Sequence, residues 1–241
     1  MRARALFEAG RLDEAVESLG AELRDAPTDV RRRTFLFELL CFAGAYDRAE
    51  KHLEVLARGS RDAELGAWLL RSALHAERVR QAAFAAGPLP PAAPGRPVSG
   101  TLNGTPFASL EDADPRIGPR LEVFAAGQYT WLPLEHVASV RVAAPGLLRD
   151  LLWAPAVVRT GPGFRGTELG EVLLPALAPL SWRSPDGEVR LGRVTDWEEL
   201  PEGGMVPVGQ KLLLVDGEPF PILELRELEI EAAVPALPAG G

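Results

Sequence analysis

The chain has 241 residues, of which 46% are hydrophobic, with a single cysteine, a formal net charge of -8 and an isoelectric point of about 5.1. The acidic balance argues against a protein that binds nucleic acid by neutralising phosphates, and one cysteine excludes a disulfide within the chain. We expect a soluble, cytoplasmic protein, because the sequence starts with no uncharged signal-peptide core and holds no apolar run of about 20 residues.

The first 86 residues predict consecutive helices. Apolar residues recur there at three- and four-residue spacing among charged ones, and Pro27 is the only proline. Thr28 or Asp29 suits the N-cap of the third helix, whereas Gly10 and Gly44 suit helix C-termini. The predicted helices cover residues 2–9, 12–25, 29–43, 47–58 and 61–84.

A 34-residue repeat lies within these helices. The segment Ala9–Ala15 returns as Ala43–Ala49, with Gly10 aligned on Gly44. This period is the length of one tetratricopeptide helix-turn-helix unit, which stacks on its neighbours and offers a surface to a helix or peptide of another protein. We therefore predict a tetratricopeptide-like helical array over residues 1–86 and a protein-binding function.

The composition changes after this array. Residues 87–100 are rich in proline and glycine, which predicts a semi-rigid linker and a domain boundary. Short apolar runs in residues 101–230 predict a mostly antiparallel, β-rich domain with one or two helices, and residues 231–241 predict a frayed tail. The predicted fold class is therefore α+β.

Several local signals predict elements inside the β-rich domain. Asn103-Gly104 and Asp216-Gly217 predict tight turns, and Asp114-Pro115 predicts the start of a helix that ends at Gly127. Strands are predicted at residues 129–132, 137–142, 151–158, 189–193 and 211–215. The glycine-rich residues 161–170 lack the ending of a phosphate-binding loop, which favours a surface loop.

One face of the third helix and the equivalent face of the fifth form a candidate surface for an amphipathic partner helix. On the third helix the residues are Arg31, Thr34, Phe35, Glu38, Cys41 and Phe42. On the fifth helix they are Leu65, Trp68, Leu69, Ser72 and His75. The alternative is that the aromatic and apolar members are buried against neighbouring helices or the second domain.

Charged residues of the second half allow two further interpretations. Asp112 and Asp114, beside Glu111, have the oxygen-ligand composition of a metal pair, but helix capping and a side-chain turn explain both aspartates as well. Arg116 and Arg149-Asp150 are interpreted either as an ion pair that fixes the helix against the sheet or as an exposed partner patch. With no paired histidines, we expect no metal and no cofactor.

Four sequence strings in the second half carry a resemblance to a known family. The strings are Asp112–Pro119, Tyr129–Pro133, Leu148–Ala156 and Leu191–Trp197. Their most distinctive residues are Asp112, Asp114, Arg116, Arg149, Asp150 and Trp153. Together with Phe35–Cys41 in the helical half, they resemble the ImpE/TagJ family of type VI secretion accessory proteins, over residues 1–86 and 100–228.

The resemblance implies a non-enzymatic bacterial adaptor beside the contractile sheath. Some members of the family bind an N-terminal helix of the small sheath subunit and the AAA+ ATPase that disassembles contracted sheaths. Typical members have a further helical stretch before the β-rich half, where this chain has its proline-rich residues. The helical array is thus shorter, which leaves the ATPase interaction open.

Two other functions remain as hypotheses from the sequence. One is a general tetratricopeptide-type peptide-binding scaffold or co-chaperone that is unrelated to secretion. The other is an enzyme with a site near Asp112, Asp114, Arg116 and Arg149. The enzyme hypothesis requires these four side chains to converge in an open cleft.

Overall fold

Five consecutive helices make up the N-terminal half, each packed against the next. The computed structural model describes residues 2–87, 89, 97–161, 163–166, 168–201 and 203–231. The helices are α1 (Arg2–Glu8), α2 (Leu12–Asp25), α3 (Val30–Phe42), α4 (Tyr46–Leu56) and α5 (Arg61–Ala85). Asp29 caps α3 by accepting a hydrogen bond from the Arg32 backbone N–H at 3.0 Å. The predicted helices are confirmed, with boundaries within two residues of those expected.

The 34-residue repeat has a structural basis at its two glycines. Gly10 and Gly44 have φ angles of 72° and 68°, the left-handed conformation that glycine adopts without a Cβ clash. Equivalent hydrogen bonds close both helices, from Gly10 N–H to the Phe7 carbonyl at 3.0 Å and from Gly44 N–H to the Cys41 carbonyl at 3.1 Å. The aligned core residues are all fully buried: Ala15, Ala49, Leu19 and Leu53.

The C-terminal half is built on antiparallel sheets, which confirms the α+β fold class. The first strands along the chain are β1 (Gly100–Leu102), β2 (Thr105–Phe107), β3 (Leu110–Asp112), β4 (Arg120–Ala125), β5 (Gln128–Pro133), β6 (Val137–Val142) and β7 (Trp153–Thr160). The later elements are β8 (Gly170–Pro175), helix α6 (Gly187–Arg190), β9 (Thr195–Glu199), β10 (Met205–Gly209), β11 (Leu212–Val215), β12 (Glu218–Pro221) and β13 (Glu227–Ile230).

Within the described residues, the strands form one large sheet and two small ones. The large sheet has the order β2-β1-β13-β6-β7-β8-β4-β5, and the small sheets are β12-β11-β3 and β10-β9. All strand pairs are antiparallel. Apolar residues of β4, β7 and the loops beside them join the core of the helical half, so the two halves share one hydrophobic cluster.

Two predicted elements of this half are wrong. The expected helix from Asp114 to Gly127 is a turn followed by β4, in which four consecutive residues, 121–124, are buried. A strand buried on both faces shows no polar alternation, so its sequence does not distinguish it from a helix. The strand expected at residues 189–193 is replaced by α6, which Asp186 caps by accepting the Glu188 N–H at 2.8 Å.

Both predicted tight turns are confirmed. Asn103 and Gly104 have φ angles of 49° and 81°, and Asp216 and Gly217 have 53° and 86°. Paired positive angles are those of the primed turn that matches strand twist in a two-residue hairpin. They connect β1 to β2 and β11 to β12.

Parts of the predicted linker and tail lie outside the described residues. These are residues 88 and 90–96 of the linker at 87–100, and residues 232–241 of the tail at 231–241. Among the helices that the structure does describe, none is sufficiently long and apolar to cross a membrane.

The repeat glycines also allow the two halves to approach closely. A Cβ placed on Gly44 would lie 2.5 Å from the Trp182 ring, and one on Gly10 would collide with the Glu188 side chain. Both glycines therefore have a second role, since each helix turn packs directly against the segment around α6.

We expect Gly44→Ala to lower the free energy of unfolding by about 1–3 kcal/mol, because alanine is strained at this φ angle and its methyl group meets Trp182. Gly66→Ala in α5 is the matched control. Nothing lies within 4 Å of a Cβ there, so we expect a gain of about 0.5–1 kcal/mol. Urea unfolding of both variants measures these changes, and equal effects would contradict the close-approach role.

Candidate partner-binding groove

The face of α5 that packs on the large sheet is covered only along its C-terminal part. Helical periodicity places Leu69, Ala73 and Arg80 on that face. Ala73 and Arg80 are 3% and 0% exposed, whereas Leu69 is 61% exposed. Leu65 and Trp68 beside it are 58% and 59% exposed. Exposed apolar residues that form a contiguous patch indicate a binding surface.

A groove of about 710 Å³ lies between this uncovered part of α5 and the sheet. Its apolar sheet side includes Phe124, Val142, Pro155, Val157 and Leu173. Arg141 and Glu171 add charge to the lining, and Arg141 is also paired with Glu227 at 3.0 Å. An apolar floor with a few charged groups suits an amphipathic protein segment.

One edge of the groove lies where the large sheet is least paired. β4 and β8 pair at one position, Phe124 with Leu173. Residues 126–127 then turn the chain away into β5, with φ angles of 48° and 78°. A Cβ on Gly127 would lie 3.2 Å from that of Ser72, so this turn packs closely on α5. The lining of the groove is therefore formed by both halves of the protein.

The predicted face of α3 is not part of the groove. Phe42 is 1% exposed and belongs to the core, and Glu38 is 7% exposed beside Arg149, with 3.6 Å between Nη1 and Oε1. Phe35 is half-buried and packs edge-on against Phe7, with ring centroids 5.6 Å apart. The expected common stripe over α3 and α5 is therefore wrong for α3, whose aromatic residues serve helix packing.

The polar residues of the predicted surface do not lie together either. Arg31 is exposed and Thr34 is half-buried at the start of α3, where the Thr34 hydroxyl donates to the Val30 carbonyl at 3.0 Å. His75 is exposed on α5 and lines a second depression of about 340 Å³ that adjoins the main groove and shares Trp68 and Ser72 with it. Of the predicted surface residues, Trp68, Leu69, Ser72 and His75 of α5 line these two depressions, whereas Leu65 and the residues of α3 do not.

A buried ion network ties α5 to the sheet below the groove. Arg80 donates two hydrogen bonds to the Glu122 carboxylate, both at 2.8 Å, and neither side chain is exposed. Lys211 donates to Glu122 at 2.7 Å and contacts Asp112, and the Tyr129 hydroxyl donates to Glu122 at 2.5 Å. The carboxylate of Glu122 thus accepts four hydrogen bonds, which is its full capacity.

The network shifts the pKa values of its two acids, Glu122 and Asp112, in opposite directions. Burial alone would raise the pKa of Glu122, but the charges and hydrogen bonds of Arg80 and Lys211 outweigh it and hold the pKa well below its usual value. Burial raises the pKa of Asp112 to about 6, against the opposing charge of Lys211. Glu122 is therefore a permanent anion, whereas Asp112 takes up a proton in mildly acidic solution.

Other residues of the family strings also reach α5. The buried Asp114 carboxylate binds Arg116 at 2.6 Å, and the Arg116 guanidinium lies 4.8 Å from the centre of the Phe84 ring. The Trp153 indole N–H donates to Glu77 at 3.0 Å. These contacts hold the C-terminal half of α5 against the sheet and the loops beside it.

Arg149 and Asp150 contact different parts of the protein. Arg149 pairs with Glu38 of α3, and the Asp150 carboxylate accepts the backbone N–H groups of Gly146 and Leu147 at 2.9 and 2.8 Å. The expected ion pair between Arg116 and Arg149-Asp150 is therefore wrong, because Arg116 pairs with Asp114 and Asp150 with the backbone beside it. Each arginine instead contacts a helix of the N-terminal half, and their side chains are 18% and 35% exposed, which disfavours an exposed partner patch.

The condition set for an enzyme site or a metal pair is not met by this geometry. Asp112 and Asp114 are 2% and 0% exposed and are paired with Lys211 and Arg116. Arg149 lies against α3 instead. The described parts of the chain hold no cluster of three or more metal-ligating side chains.

Sequence reasoning missed the central members of the network. Glu122 interrupts the apolar stretch Leu121-Glu122-Val123-Phe124, whereas Arg80 stands in the polar segment Glu77–Gln81 and Lys211 follows Gln210. A charged residue inside an apolar run is a signal of a buried pair, because a lone buried charge is too costly. That signal names no partner, since Arg80 and Glu122 are 42 positions apart.

The fold and the groove define a class of two-part proteins in which a helical part and a β-rich part together line one apolar groove. The ImpE protein family model matches residues 104–229. The chain is 34% identical over 266 aligned positions to the type VI secretion system accessory component TagJ of Pseudomonas aeruginosa, covering 96% of this chain and 92% of TagJ. This chain belongs to the ImpE family, which confirms the resemblance.

A solved structure shows the same fold. The crystal structure of protein VPA1032 from Vibrio parahaemolyticus matches with a TM-score of 0.83 and 22% identity, covering 96% of this chain and 98% of that one. The alignment with TagJ spans more positions than this chain has residues, so TagJ contains residues that this chain lacks.

We expect Arg80→Met to lower the free energy of unfolding by about 3–5 kcal/mol, because it removes one member of a fully buried ion pair. Arg4→Met in α1 is the matched control, since it breaks an exposed helical pair with Glu8 and should cost less than about 1 kcal/mol. Chemical denaturation measures both. Similar losses in the two variants would show that burial does not strengthen the Arg80 pair.

The raised pKa of Asp112 predicts a pH dependence of stability. Between an unfolded pKa of about 3.9 and a folded pKa of about 6, the folded state binds the extra proton, so the free energy of unfolding falls as pH rises. Asp112→Asn lacks this contribution. From pH 4 to pH 7, the stability of wild type relative to Asp112→Asn should decrease by about 1–3 kcal/mol, as measured by urea unfolding. A constant or increasing difference would contradict the assignment.

Proposed function

We propose that this chain is a non-enzymatic adaptor of a type VI secretion system that binds an amphipathic helix in the groove between α5 and the sheet. The partner we propose is the N-terminal helix of the small sheath subunit. Family membership and the similarity to TagJ support the secretion role. The structural observation that carries the proposal is the pair of exposed apolar side chains Trp68 and Leu69, which line the groove opposite an apolar sheet floor.

The shape and chemistry of the groove support a helical partner. An amphipathic helix binds in such a groove through apolar anchors spaced by three, four and seven residues. Burial of these anchors against Trp68 and Leu69 would supply most of the affinity, and the charges of Arg141 and Glu171 would set orientation. For one such helix we expect micromolar binding, about -8 kcal/mol.

The competing function is a general tetratricopeptide-type scaffold or co-chaperone that is unrelated to secretion. It explains the helical repeat equally well. It leaves the family match over residues 104–229 and the similarity to TagJ along nearly the whole chain without a reason. These observations favour the secretion adaptor.

Calorimetry with the N-terminal helix peptide of the small sheath subunit from the same organism tests the proposal. Wild-type protein should bind saturably, and Trp68→Asp should weaken binding at least tenfold, because it places a charge at the centre of the apolar surface. Val79→Asp is the matched control. Val79 is exposed on the same helix at 44% but does not line the groove, so binding should persist.

Absence of binding by the folded wild-type protein would contradict the proposed partner. Equal loss in Trp68→Asp and Val79→Asp would contradict the proposed groove. The same titration with the AAA+ ATPase in place of the peptide tests the second partner that the family resemblance implies.

A further inference from the structure

The groove and the buried ion network are built from the same two elements. On α5, Leu69 and Arg80 lie on one face, eleven residues and therefore about 16 Å apart. On β4, Phe124 lines the groove and Glu122 accepts from Arg80 two residues earlier, so both side chains share a face of the strand. The distance between the groove walls is thus linked to the geometry of the Arg80–Glu122 pair.

The pair restricts orientation as well as distance. Its two parallel hydrogen bonds, both 2.8 Å, fix the guanidinium in the plane of the carboxylate. A tilt of α5 by about 10° around Arg80 would move Leu69 by roughly 3 Å, given the rise of a helix. Atoms in contact are about 3.5–4.0 Å apart, so such a shift would remove most contacts across the groove.

The remaining restraints on α5 are distributed unevenly. Near Arg80, the Gln81 side-chain oxygen accepts the Leu180 backbone N–H at 2.9 Å and the Trp182 indole N–H at 3.2 Å. Beside the groove, α5 meets the sheet through the close packing of Ser72 on Gly127. Along its other side α5 packs against α4, where Arg71 and Arg78 pair with Glu50. Relative to the sheet, the uncovered part of α5 is therefore restrained mainly from its buried end.

We propose that Glu122, acting through Arg80, is a positioning residue that sets the width of the groove and hence its affinity for the bound helix. The effect on affinity rests on the proposed function, whereas the effect on groove width does not. Neither side chain touches the bound helix, since both are fully buried below the groove.

A distance measurement across the groove tests the effect on width. Cys41 is the only cysteine and is 2% exposed, so spin labels attach selectively to Glu64→Cys on α5 and Arg159→Cys on β7, both exposed positions. In this labelled background, Glu122→Gln keeps the side-chain shape and removes the charge. We expect the distance distribution from pulsed electron paramagnetic resonance to broaden or shift by roughly 3 Å.

Asp13→Asn is the matched control. It weakens another two-bond arginine–carboxylate pair between the halves, with Arg190 at 2.8 and 3.0 Å, on the side of α2 and α6. We expect the label distance and the affinity for the sheath peptide to stay at wild-type values in this variant. In Glu122→Gln we expect the affinity to fall at least tenfold.

A folded Glu122→Gln protein with the wild-type distance distribution would overturn the proposal, even if its unfolding free energy is lower. If this variant does not fold, Arg80→Lys replaces it. Lysine keeps the positive charge but cannot make both hydrogen bonds to the Glu122 carboxylate, and the same distance and affinity measurements apply. If the wild-type protein does not bind the peptide, the proposed function fails, while the distance measurement still decides whether Glu122 positions α5.

Discussion

The junction between the two halves depends on one carboxylate, that of Glu122. It accepts hydrogen bonds from Arg80, Lys211 and Tyr129 in a region without solvent. Each buried charge would be costly alone, so the three elements that carry them are stable only when assembled. An arrangement of α5 that separated Arg80 from Glu122 would leave two unpaired buried charges, a cost that apolar packing alone does not impose.

A second set of contacts joins the halves at the other end of the helical array. Gly10 and Gly44 admit the segment around α6 into close contact, and Asp13 pairs with Arg190 there. With both ends of the array held, the sheet and α5 form the walls of a single groove. A partner in this groove would contact both halves at once, so its affinity would depend on their relative orientation.

Local signals explain what was predictable from the sequence. The helices follow from caps and glycine stops within a few residues, and the turn at Asn103-Gly104 follows from its own backbone preference. β4 was mistaken for a helix because both of its faces are buried. On α5 the exposed residues of the candidate surface were identified, but Phe42 of α3 was not recognised as core, because exposure depends on neighbours that only the tertiary structure defines.

Three of the outer strands, β2, β12 and β9, are poorly suited to pair with an extended peptide, which is consistent with a helix as the proposed ligand. An added strand needs free backbone groups at a sheet edge. Pro106 in outer strand β2 has no backbone N–H to donate to an added strand. Pro219 and Pro221 likewise lack this donor in outer strand β12. In outer strand β9, the Asp196 carboxylate accepts the Trp197 N–H at 2.8 Å. The uncovered face of α5 instead offers side chains, which a helix recognises without any exchange of backbone hydrogen bonds.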